Sequence, residues 1–270
     1  MRKIRTDVSF TNPKCRFHFV ASFDKRAQSA KQELKQKYGS VSLENAQTIV
    51  VLGGDGTLLS TLRTICFQYQ NDKFSKTKTV YGMNLGTLGA WMNPYSCDCL
   101  PERVQKAETF IFKPLSVQIE RKDKGIFEDV AFNEVTMSRS STQVPKIEVS
   151  VDEEAIETIK GDTVICSTPQ GSRAYYSAAG GGVIPMESRL LGLQSVCAYQ
   201  ATDGILKPYN FNKLVPDCVS VSFRNISSDT HRNVQVTCDR KVYKNVVAAH
   251  MRQNPLLSVF VMKERQNHIS

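Results

Sequence analysis

The sequence predicts an α/β fold class: a small α/β domain with a parallel sheet, followed by a β-rich, sandwich-like domain. Two observations predict it. Up to about residue 93, short apolar runs alternate with helical patterns, as in a parallel sheet flanked by helices. After Pro94, many short strand-like runs with turn signals follow one another. We therefore place an α/β domain at residues 1–93, a β-rich domain at 94–250 and a C-terminal segment at 251–270.

The first strand and helix follow from local signals. Residues 16–22 (RFHFVAS) form a short apolar run suited to a buried strand. Asp24 can cap a helix that ends near Tyr38, and Gly39 supplies the stop. Such a helix would bury the face that carries Ala27, Ala30, Leu34 and Tyr38.

A strand, a helix and a further strand come next. Residues 48–52 (TIVVL) predict a buried strand that runs into the Gly-rich segment 53–57 (GGDGT). Residues 78–85 predict a third strand, so the alternation indicates a parallel sheet. The stretch between them predicts a helix, because apolar residues recur three and four positions apart at Leu58, Leu62, Ile65 and Tyr69.

Alternation of apolar and polar residues predicts the strands of the second part. Residues 115–119 and 147–151 place apolar side chains at every second position, and Asp152-Glu153 predicts a hairpin turn. Residues 171–182, which are rich in Ala, Ser and Gly, are the exception and predict the start of a helix. Further strands are predicted at 163–166, 195–199, 218–223, 233–237 and 257–262.

Composition excludes several classes of protein and leaves the charge to be explained. Hydrophobic residues make up 41% of the 270 residues, which excludes disordered and fibrous classes. No apolar run approaches the roughly 18 residues of a membrane span, so we expect a soluble protein. The net charge is +9, and the ten basic and three acidic residues of segment 1–40 account for +7 of it, which leaves +2 elsewhere. We therefore expect small polyanionic partners, and neither nucleic acid nor a membrane.

The eight cysteines predict a reducing, cytoplasmic setting and not a disulfide framework. Most of them are scattered singly through apolar stretches, where a free thiol behaves as a small hydrophobic group. Cys97 and Cys99 form a C-x-C pair, but no second Cys or His cluster accompanies it in the sequence. We therefore predict no metal site made by protein side chains.

The segment 53–57 (GGDGT) carries the first chemical signal. Glycines at a strand end let backbone N–H groups approach a ligand closely, and the helix start that follows favours phosphate. The segment is neither a Walker A loop nor a G-x-G-x-x-G fingerprint. Its unusual residue is Asp55, whose carboxylate would repel phosphate unless it binds a metal or accepts a proton from a hydroxyl nucleophile. The alternative is that Asp55 only caps the next helix.

Two further clusters could hold a nucleotide. Asn133-Glu134 places amide and carboxylate groups side by side, which suits a ribose diol, although a surface turn has the same composition. Residues 161–175 (GDTVICSTPQGSRAY) predict a strand that leads into a polar turn and a helix capped by Gly171 or Ser172. The amides and hydroxyls of this turn could bind a nucleotide, or the stretch could be an ordinary strand-to-helix connection.

Taken in order, these three clusters closely resemble the motifs of the NAD kinase family. The segments 53–57, 133–134 and 161–175 match, and residues 84–89 (NLGTLG) look like the family's segment before the domain crossover. The resemblance covers roughly residues 16 to 260. GGDGT alone is less specific, because diacylglycerol and sphingosine kinases also have it, but the later motifs exclude those families.

The resemblance implies a reaction, a cofactor and an assembly. The chain would transfer the γ-phosphoryl group of ATP to the 2′-hydroxyl of the adenosine ribose of NAD, giving NADP. Asp55 would be the catalytic base that accepts the hydroxyl proton, and Mg²⁺, the expected cofactor, would offset the charge of ATP. The last segment often returns to the first domain in the family. Relatives are commonly dimers or tetramers, so we expect a homodimer or homotetramer.

The resemblance also assigns binding roles residue by residue. Asn133 and Glu134 would hold adenine and ribose groups of NAD, and Asp162 would bind the other end of the dinucleotide. Trp91 would lie against the substrate, although a core residue is an equally good interpretation. The residues that the resemblance places in nucleotide binding are Gly54, Gly56, Thr57, Trp91, Asn133, Glu134, Lys160, Asp162, Arg173, Ala174, Tyr175, Tyr176, Ser177, Ala178 and Asp239.

Three positions depart from the family's pattern. Gln170 stands where the family usually has Thr or Ser, Arg173 where it commonly has Thr, and Arg240 replaces the usual neighbour of the aspartate matched by Asp239. The guanidinium of Arg173 could reach a phosphate, so we predict that it changes the preference for NAD or NADH, or for the phosphate donor. The alternatives are a lipid or sugar kinase that shares the GGDGT loop, and a catalytically weak nucleotide sensor.

Overall fold

The computed structural model describes most of the chain. The described residues are 16–70, 78–87, 89–123, 125–229 and 231–265. Three features of the sequence prediction lie outside them, namely the side chain of Tyr69, Leu88 of the NLGTLG segment, and residues 1–15 with four of the basic residues of the N-terminal stretch. Within the described ranges, no helix is long and apolar enough to cross a membrane.

Contacts divide the described chain into two compact units. The first contains residues up to 61, residues 78–110 and the residues from 260 onward. The second contains residues 62–70 and 111–259. Divisions therefore fall at 61/62, 110/111 and 259/260, and the chain returns to the first unit before residue 78, whereas the sequence pattern changes at 93/94.

Strands and helices alternate as far as residue 112. In chain order the elements are β1 (Phe17–Ala21), α1 (Lys25–Tyr38), β2 (Thr48–Gly53), α2 (Asp55–Gln70), β3 (Thr79–Asn84), β4 (Asn93–Pro94), α3 (Leu100–Lys106) and β5 (Glu108–Phe112). This alternation confirms the α/β part of the predicted fold class.

Strands dominate the rest of the described chain. In chain order the elements are β6 (Leu115–Arg121), β7 (Gly125–Ala131), β8 (Glu134–Arg139), β9 (Lys146–Val151), β10 (Glu154–Lys160), β11 (Thr163–Ser167), α4 (Tyr175–Ala178), β12 (Leu190–Val196), β13 (Ala198–Thr202), β14 (Ile205–Tyr209), β15 (Asn212–Pro216), β16 (Ser220–Asn225), β17 (Val234–Cys238), β18 (Lys241–Gln253) and β19 (Val259–Lys263). Short 3₁₀ turns lie at Gln170–Arg173 and Pro255–Leu257. The β-rich character predicted for this part is confirmed.

A parallel sheet forms the centre of the first unit. Its strand order is β1-β2-β3-β19-β5, and β1, β2, β3 and β19 run parallel. Every residue of β2 is buried, as its continuous apolar run predicts for a central parallel strand. Because the strands are parallel, the segments that follow β1, β2 and β3 start at the same edge of the sheet, where α/β folds bind ligands.

Helix α1 shows how local signals define an element. The Asp24 carboxylate accepts a hydrogen bond from the backbone N–H of Arg26 at 2.8 Å, and Gly39 ends the helix with a φ of 73°. Its buried face carries Ala27, Ala30 and Leu34. The predicted cap, stop and apolar face of this helix are all confirmed.

An antiparallel sheet, to which eleven of the described strands belong, forms the second unit. The first half of β18 pairs with β17, and its second half pairs with β6 and β16. The alternation in β6 buries Leu115, Val117 and Ile119, as predicted. The predicted hairpin is also confirmed, since Asp152 and Glu153 connect β9 to β10 with φ values of 47° and 69°.

The predicted helix cap at residues 171–172 is wrong. Ser172 is buried within the 3₁₀ turn, where its hydroxyl donates to the carbonyl of Pro169 at 2.8 Å and accepts from the N–H of Ile184 at 2.9 Å. The helix that follows, α4, has only four residues and begins after Ala174 without a side-chain cap. The hydroxyl therefore connects two loop segments and does not start a helix.

Candidate active site

The GGDGT loop lies at the carboxyl end of β2. A Cβ atom on Gly53 would lie 2.5 Å from Thr57 Oγ1, so a larger residue would not fit this turn. The N–H of Leu85 donates to the carbonyl of Gly53 at 2.8 Å, and a Cβ on Gly86 would lie only 3.4 Å from Gly54 Cα. The backbone segments that follow β2 and β3 therefore pack directly against each other.

Asp55 is held by a distant segment of the same unit. One carboxylate oxygen accepts from the N–H of Ala90 at 2.8 Å, and the other accepts from the N–H of Trp91 at 3.2 Å. Asp55 is the first residue of α2, and the N–H groups of Thr57 and Leu58 donate to the carbonyl of Gly54. The carboxylate is thus oriented by backbone amides from residues 90–91 and does not serve as the cap of its own helix.

The other predicted residues of the first unit lie beside Asp55. Gly54, Gly56 and Thr57 are partly exposed, so a ligand can reach this backbone. Trp91 is also partly exposed, and its ring meets Phe110 edge to face with the centroids 5.6 Å apart. Trp91 therefore takes part in the group around Asp55 through its backbone N–H as well as through the position of its ring.

Asn133-Glu134 joins β7 to β8 in the second unit, and Asp239 fixes its backbone. The Asp239 carboxylate accepts from the N–H of Phe132 at 2.8 Å, of Asn133 at 2.7 Å and of Glu134 at 3.3 Å. Asp239 itself has a φ of 52° in the turn between β17 and β18. Three amides converge on one carboxylate, which sets the positions of the Asn133 and Glu134 side chains.

The turn after β11 packs on the same two residues. The Thr168 hydroxyl donates to the carbonyls of Phe132 at 2.6 Å and Asn133 at 3.0 Å, and the Gln170 amide donates to Phe132 O at 2.8 Å. A Cβ on Gly171 would lie 2.1 Å from the carbonyl oxygen of Asn133, which only glycine avoids. Gln170 is buried by these contacts, so this departure from the family pattern supports the backbone beside Asn133.

The side chains of Asn133 and Glu134 retain unused hydrogen-bonding capacity. In the described part of the chain, Asn133 Oδ1 and Glu134 Oε2 are buried without a hydrogen-bond partner. Burial, with a smaller effect of Asp239, raises the pKa of Glu134 to about 8. Burial also raises the pKa of Asp239 to about 6, against the opposing effect of the three amides and of Arg63. A buried amide and a protonated carboxyl group together can both donate to and accept from a polar ligand.

Asp162 lies away from this cluster, and Lys160 is the last residue of β10. In the pairing of β11 with β8, Ser167 lies opposite Glu134, whereas Thr163 lies opposite Ser138 at the other end of the strand. Five strand residues lie between Asp162 and Thr168, so six steps of about 3.3 Å separate the two by roughly 20 Å. The Asp162 carboxylate pairs with Arg139 Nε at 2.9 Å. The assignment of Asp162 to the other end of a dinucleotide stays a prediction.

Comparison with known proteins places the chain in a family. A family model described as the ATP-NAD kinase C-terminal domain matches residues 132–206. The chain is 33% identical to the NAD kinase of Brucella suis over 253 residues, which cover 93% of this chain and 92% of that protein. It is 32% identical to the NAD kinase of Hyphomonas neptunium over 249 residues, which cover 92% and 91% of the two chains. The chain belongs to the NAD kinase family.

Solved structures of an NADH kinase and an NAD kinase share the fold. Yeast NADH kinase complexed with NADH superposes with a TM-score of 0.75 at 17% identity, covering 95% of this chain and 85% of that one. An NAD kinase from Archaeoglobus fulgidus in complex with ATP gives a TM-score of 0.69 at 20% identity, covering 93% and 94%. The fold of this chain, with its α/β part and its β-rich part, therefore matches that of the two solved structures over more than nine-tenths of its length.

Two residues that the NAD kinase resemblance assigns to nucleotide binding make contacts within the protein. Tyr176 is only 1% exposed and packs with Ile165 and Ile184, because the inner side of the short helix α4 covers β11. Its ring is a core group, and its assignment to nucleotide binding stays a prediction. Asp239 uses both carboxylate oxygens on the backbone amides of residues 132–134, and its assignment to nucleotide binding stays a prediction.

The remaining predicted residues of this NAD kinase family member lie on the surface near α4. Arg173, Tyr175, Ser177 and Ala178 are exposed, and Ala174 is partly exposed.

Sequence reasoning missed Thr168, although it stands inside the quoted motif, because nothing in the motif shows that its hydroxyl supports residue 132. The described residues contain no group of three or more His, Cys, Asp or Glu side chains arranged to hold a metal ion.

Proposed function

We propose that this chain is an NAD kinase, which transfers the γ-phosphoryl group of ATP to the 2′-hydroxyl of the adenosine ribose of NAD and yields NADP and ADP. The observation that carries the proposal is membership of the NAD kinase family over more than nine-tenths of the chain. Asp55, held by two amides at the carboxyl end of β2, is a carboxylate placed where α/β folds bind ligands.

Asp55 would act as the general base. The 2′-oxygen forms a bond to the γ-phosphorus, the bond from that phosphorus to the β,γ-bridging oxygen breaks, and the hydroxyl proton moves to a carboxylate oxygen. Phosphoryl transfer requires positioning and charge stabilisation more than covalent chemistry from the protein. The two N–H groups on Asp55 supply the positioning, because they fix the plane of the carboxylate while the loop stays partly exposed.

ATP would enter as its Mg²⁺ complex, with the metal as part of the substrate. Mg²⁺ commonly binds substrate phosphates together with one or two carboxylates, so it does not require a cage of protein ligands. Asp55 lies within the proposed phosphate-binding loop, at residues 53–57, and supplies a carboxylate there. The ion would neutralise part of the triphosphate charge.

Asn133 and Glu134 would bind the adenosine part of NAD. Both side chains carry a buried oxygen that lacks a protein partner in the described structure. With its pKa raised to about 8, Glu134 is mainly protonated at neutral pH, so it can donate a hydrogen bond to a ligand as well as accept one. A nucleoside, which has donors and acceptors close together, matches this pair.

We also propose a cytoplasmic homodimer or homotetramer. The cysteines that the structure describes are free thiols, which suits a reducing compartment. Light scattering coupled to size-exclusion chromatography measures the assembly directly, and a monomeric mass would contradict this part of the proposal.

The function is tested by an acceptor panel. The purified chain is incubated with ATP, Mg²⁺ and one of four acceptors, namely NAD, NADH, a diacylglycerol or a hexose, and the phosphorylated product is identified by mass. We expect NADP from NAD and no phosphorylated lipid or sugar. Product from the lipid or sugar alone would favour the lipid or sugar kinase alternative. Saturable NAD binding without any product would favour the nucleotide sensor.

A further inference from the structure

The last strand of the parallel sheet ends beside the segment that holds Asp55. β19 pairs in parallel with β3, with Met262 opposite Tyr81, so the end of β19 lies toward the same edge as the GGDGT loop. The amide of Asn93 donates to the carbonyl of Met262 at 3.1 Å, and its Oδ1 accepts from the N–H of Glu264 at 2.8 Å. Residues on both sides of Lys263 are thus fixed to Asn93, which is fully buried.

Lys263 completes this connection with its side chain. Its Nζ donates to the carbonyl of Ala90 at 3.0 Å and also to the carbonyl of Met92. The N–H groups of Ala90 and Trp91, from the same short segment, donate to Asp55 at 2.8 and 3.2 Å. One ammonium group therefore binds the carbonyl side of residues 90–92, while the amide side of the same residues binds the carboxylate.

The chemistry of this position suits lysine. Its compact ammonium carries three donors on a flexible stem, so one group can satisfy both carbonyls. Burial lowers the pKa of Lys263, and the nearby carboxylates of Asp55 and Glu264 act in the opposite direction. Lys263 is thus close enough to Asp55 for their charges to interact, although its hydrogen bonds go to the backbone.

We propose that Lys263 is a positioning residue for the transfer reaction, acting on Asp55 through the backbone of residues 90–92. The proposal rests on the proposed function, since it supposes that Asp55 is the base. A general base must lie within hydrogen-bond reach of the proton that it accepts, and a displacement of about 1 Å in a catalytic site can cost roughly 100-fold in rate. Loss of the ammonium would release residues 90–92 and leave the carboxylate without a fixed orientation.

Lys263→Met tests this, because it removes the donors and keeps most of the stem. We expect kcat to fall at least about tenfold while the KM values for ATP and NAD change less than about twofold, as for an interaction that matters in the transition state. Lys263→Arg, which keeps a cationic donor, should recover part of kcat. Trp91, the only tryptophan of the chain, adds a second readout, since its emission should shift in Lys263→Met when its segment is released.

Lys78 provides the matched control. It also donates from Nζ to backbone carbonyls, those of Leu43 at 2.9 Å, Glu44 at 2.6 Å and Ala46 at 2.9 Å, and burial lowers its pKa. It precedes β3, so it lies at the opposite edge of the same sheet from Asp55. Lys78→Met should lower the thermal stability without changing kcat or the emission of Trp91.

The outcomes separate a positioning role from a structural one. A selective loss of kcat and a shifted Trp91 emission in Lys263→Met, neither of which occurs in Lys78→Met, support the proposal. Equal effects of the two variants, or unchanged kcat and emission in Lys263→Met, overturn it. If Lys263→Met does not fold, Lys263→Gln gives the same readouts by the same criteria. If the wild-type chain forms no NADP, the proposed function fails, and the emission comparison alone decides whether Lys263 holds residues 90–92.

Discussion

The two groups of site residues are built in opposite ways. In the first unit, a single partly exposed carboxylate, Asp55, is held by two backbone amides. In the second, Glu134 and Asp239 form a buried pair of carboxyl groups beside Asn133, and burial raises the pKa of both acids. The first arrangement leaves a carboxylate accessible to solvent, whereas the second buries its polar groups away from water.

This difference matches two different tasks. A base for proton transfer must reach the reacting hydroxyl, which a partly exposed carboxylate held by amide donors can do. A recognition group gains selectivity when it is buried and unsatisfied, because a ligand without the matching partner leaves it unpaired. We therefore expect substitutions in the first unit to affect turnover, and those in the second to affect binding and stability.

Asp55→Asn should have the largest effect and should separate the two tasks. With a general base worth about 10²–10⁴-fold, kcat should fall by that factor while the dissociation constant for NAD stays within about twofold. Asp98→Asn is the matched control, since Asp98 is an exposed carboxylate of the same unit that pairs with Lys37. Steady-state kinetics and calorimetric NAD binding measure both quantities. Full turnover in Asp55→Asn would show that the base is another group.

Gly171→Ala should displace the site residues of the second unit, Asn133 and Glu134, without affecting Asp55. The added Cβ would lie 2.1 Å from the Asn133 carbonyl oxygen, so the backbone beside Glu134 must move. We expect a loss of about 3 kcal/mol in the free energy of unfolding and weakened NAD binding. Gly182→Ala is the control, because a Cβ there meets no atom within 4 Å. Urea unfolding measures the free energy of unfolding of both variants. Equal stability of the two would contradict the packing described around Asn133.

Features that depend on nearby residues could be predicted from the sequence. The cap at Asp24, the stop at Gly39 and the hairpin turn at Asp152-Glu153 each lie within a few residues of the element that they shape. The GGDGT loop was placed correctly at a strand end for the same reason. Periodicity and turn chemistry are local, and local signals suffice for them.

Features that depend on distant residues could not be predicted. The Asp239 carboxylate meets the amide of Asn133 across 106 residues, and Lys263 meets Ala90 across 173. The burial of Tyr176 against β11 is not visible in the sequence, because α4 is too short for a periodic pattern to show which side is buried. Likewise, the change of pattern at Pro94 hid α3, whose Leu100 and Val104 pack in the first core.

Glu134→Gln tests the protonation state of the buried carboxyl group in the second unit. The folded-state pKa of Glu134 is about 8, above the ordinary value of 4.5, so the folded protein keeps a proton that the unfolded chain loses between these pH values. The stability of the wild-type protein should therefore fall as the pH rises from 5 to 8, by about 3–4 kcal/mol from this group. Asp239, with a pKa of about 6, acts in the same direction at lower pH.

Glutamine cannot ionise, so the fall in stability should be smaller in Glu134→Gln than in the wild-type protein. Glu154→Gln, at an exposed position of β10, is the control and should keep the wild-type dependence. Thermal unfolding at several pH values between 5 and 8 measures the slopes. Parallel curves for the wild type and Glu134→Gln would show that this carboxyl group is ionised at pH 7 in the folded protein.

Arg173→Thr should have the smallest effect and tests a surface position of the second unit. Arg173 is exposed in the 3₁₀ turn before α4, and its guanidinium is always cationic. We predict that Arg173 acts on the choice between NAD and NADH; its cation would then disfavour NAD, whose nicotinamide ring is cationic, relative to NADH, whose ring is neutral. A charge interaction in water is worth about 1 kcal/mol at 4 Å, so the ratio of kcat/KM for NAD over NADH should rise up to about fivefold. Arg189→Thr, at another exposed arginine of this unit, should leave the ratio unchanged. The same ratio in Arg173→Thr and the wild type would assign Arg173 no part in choosing between the two forms of the dinucleotide.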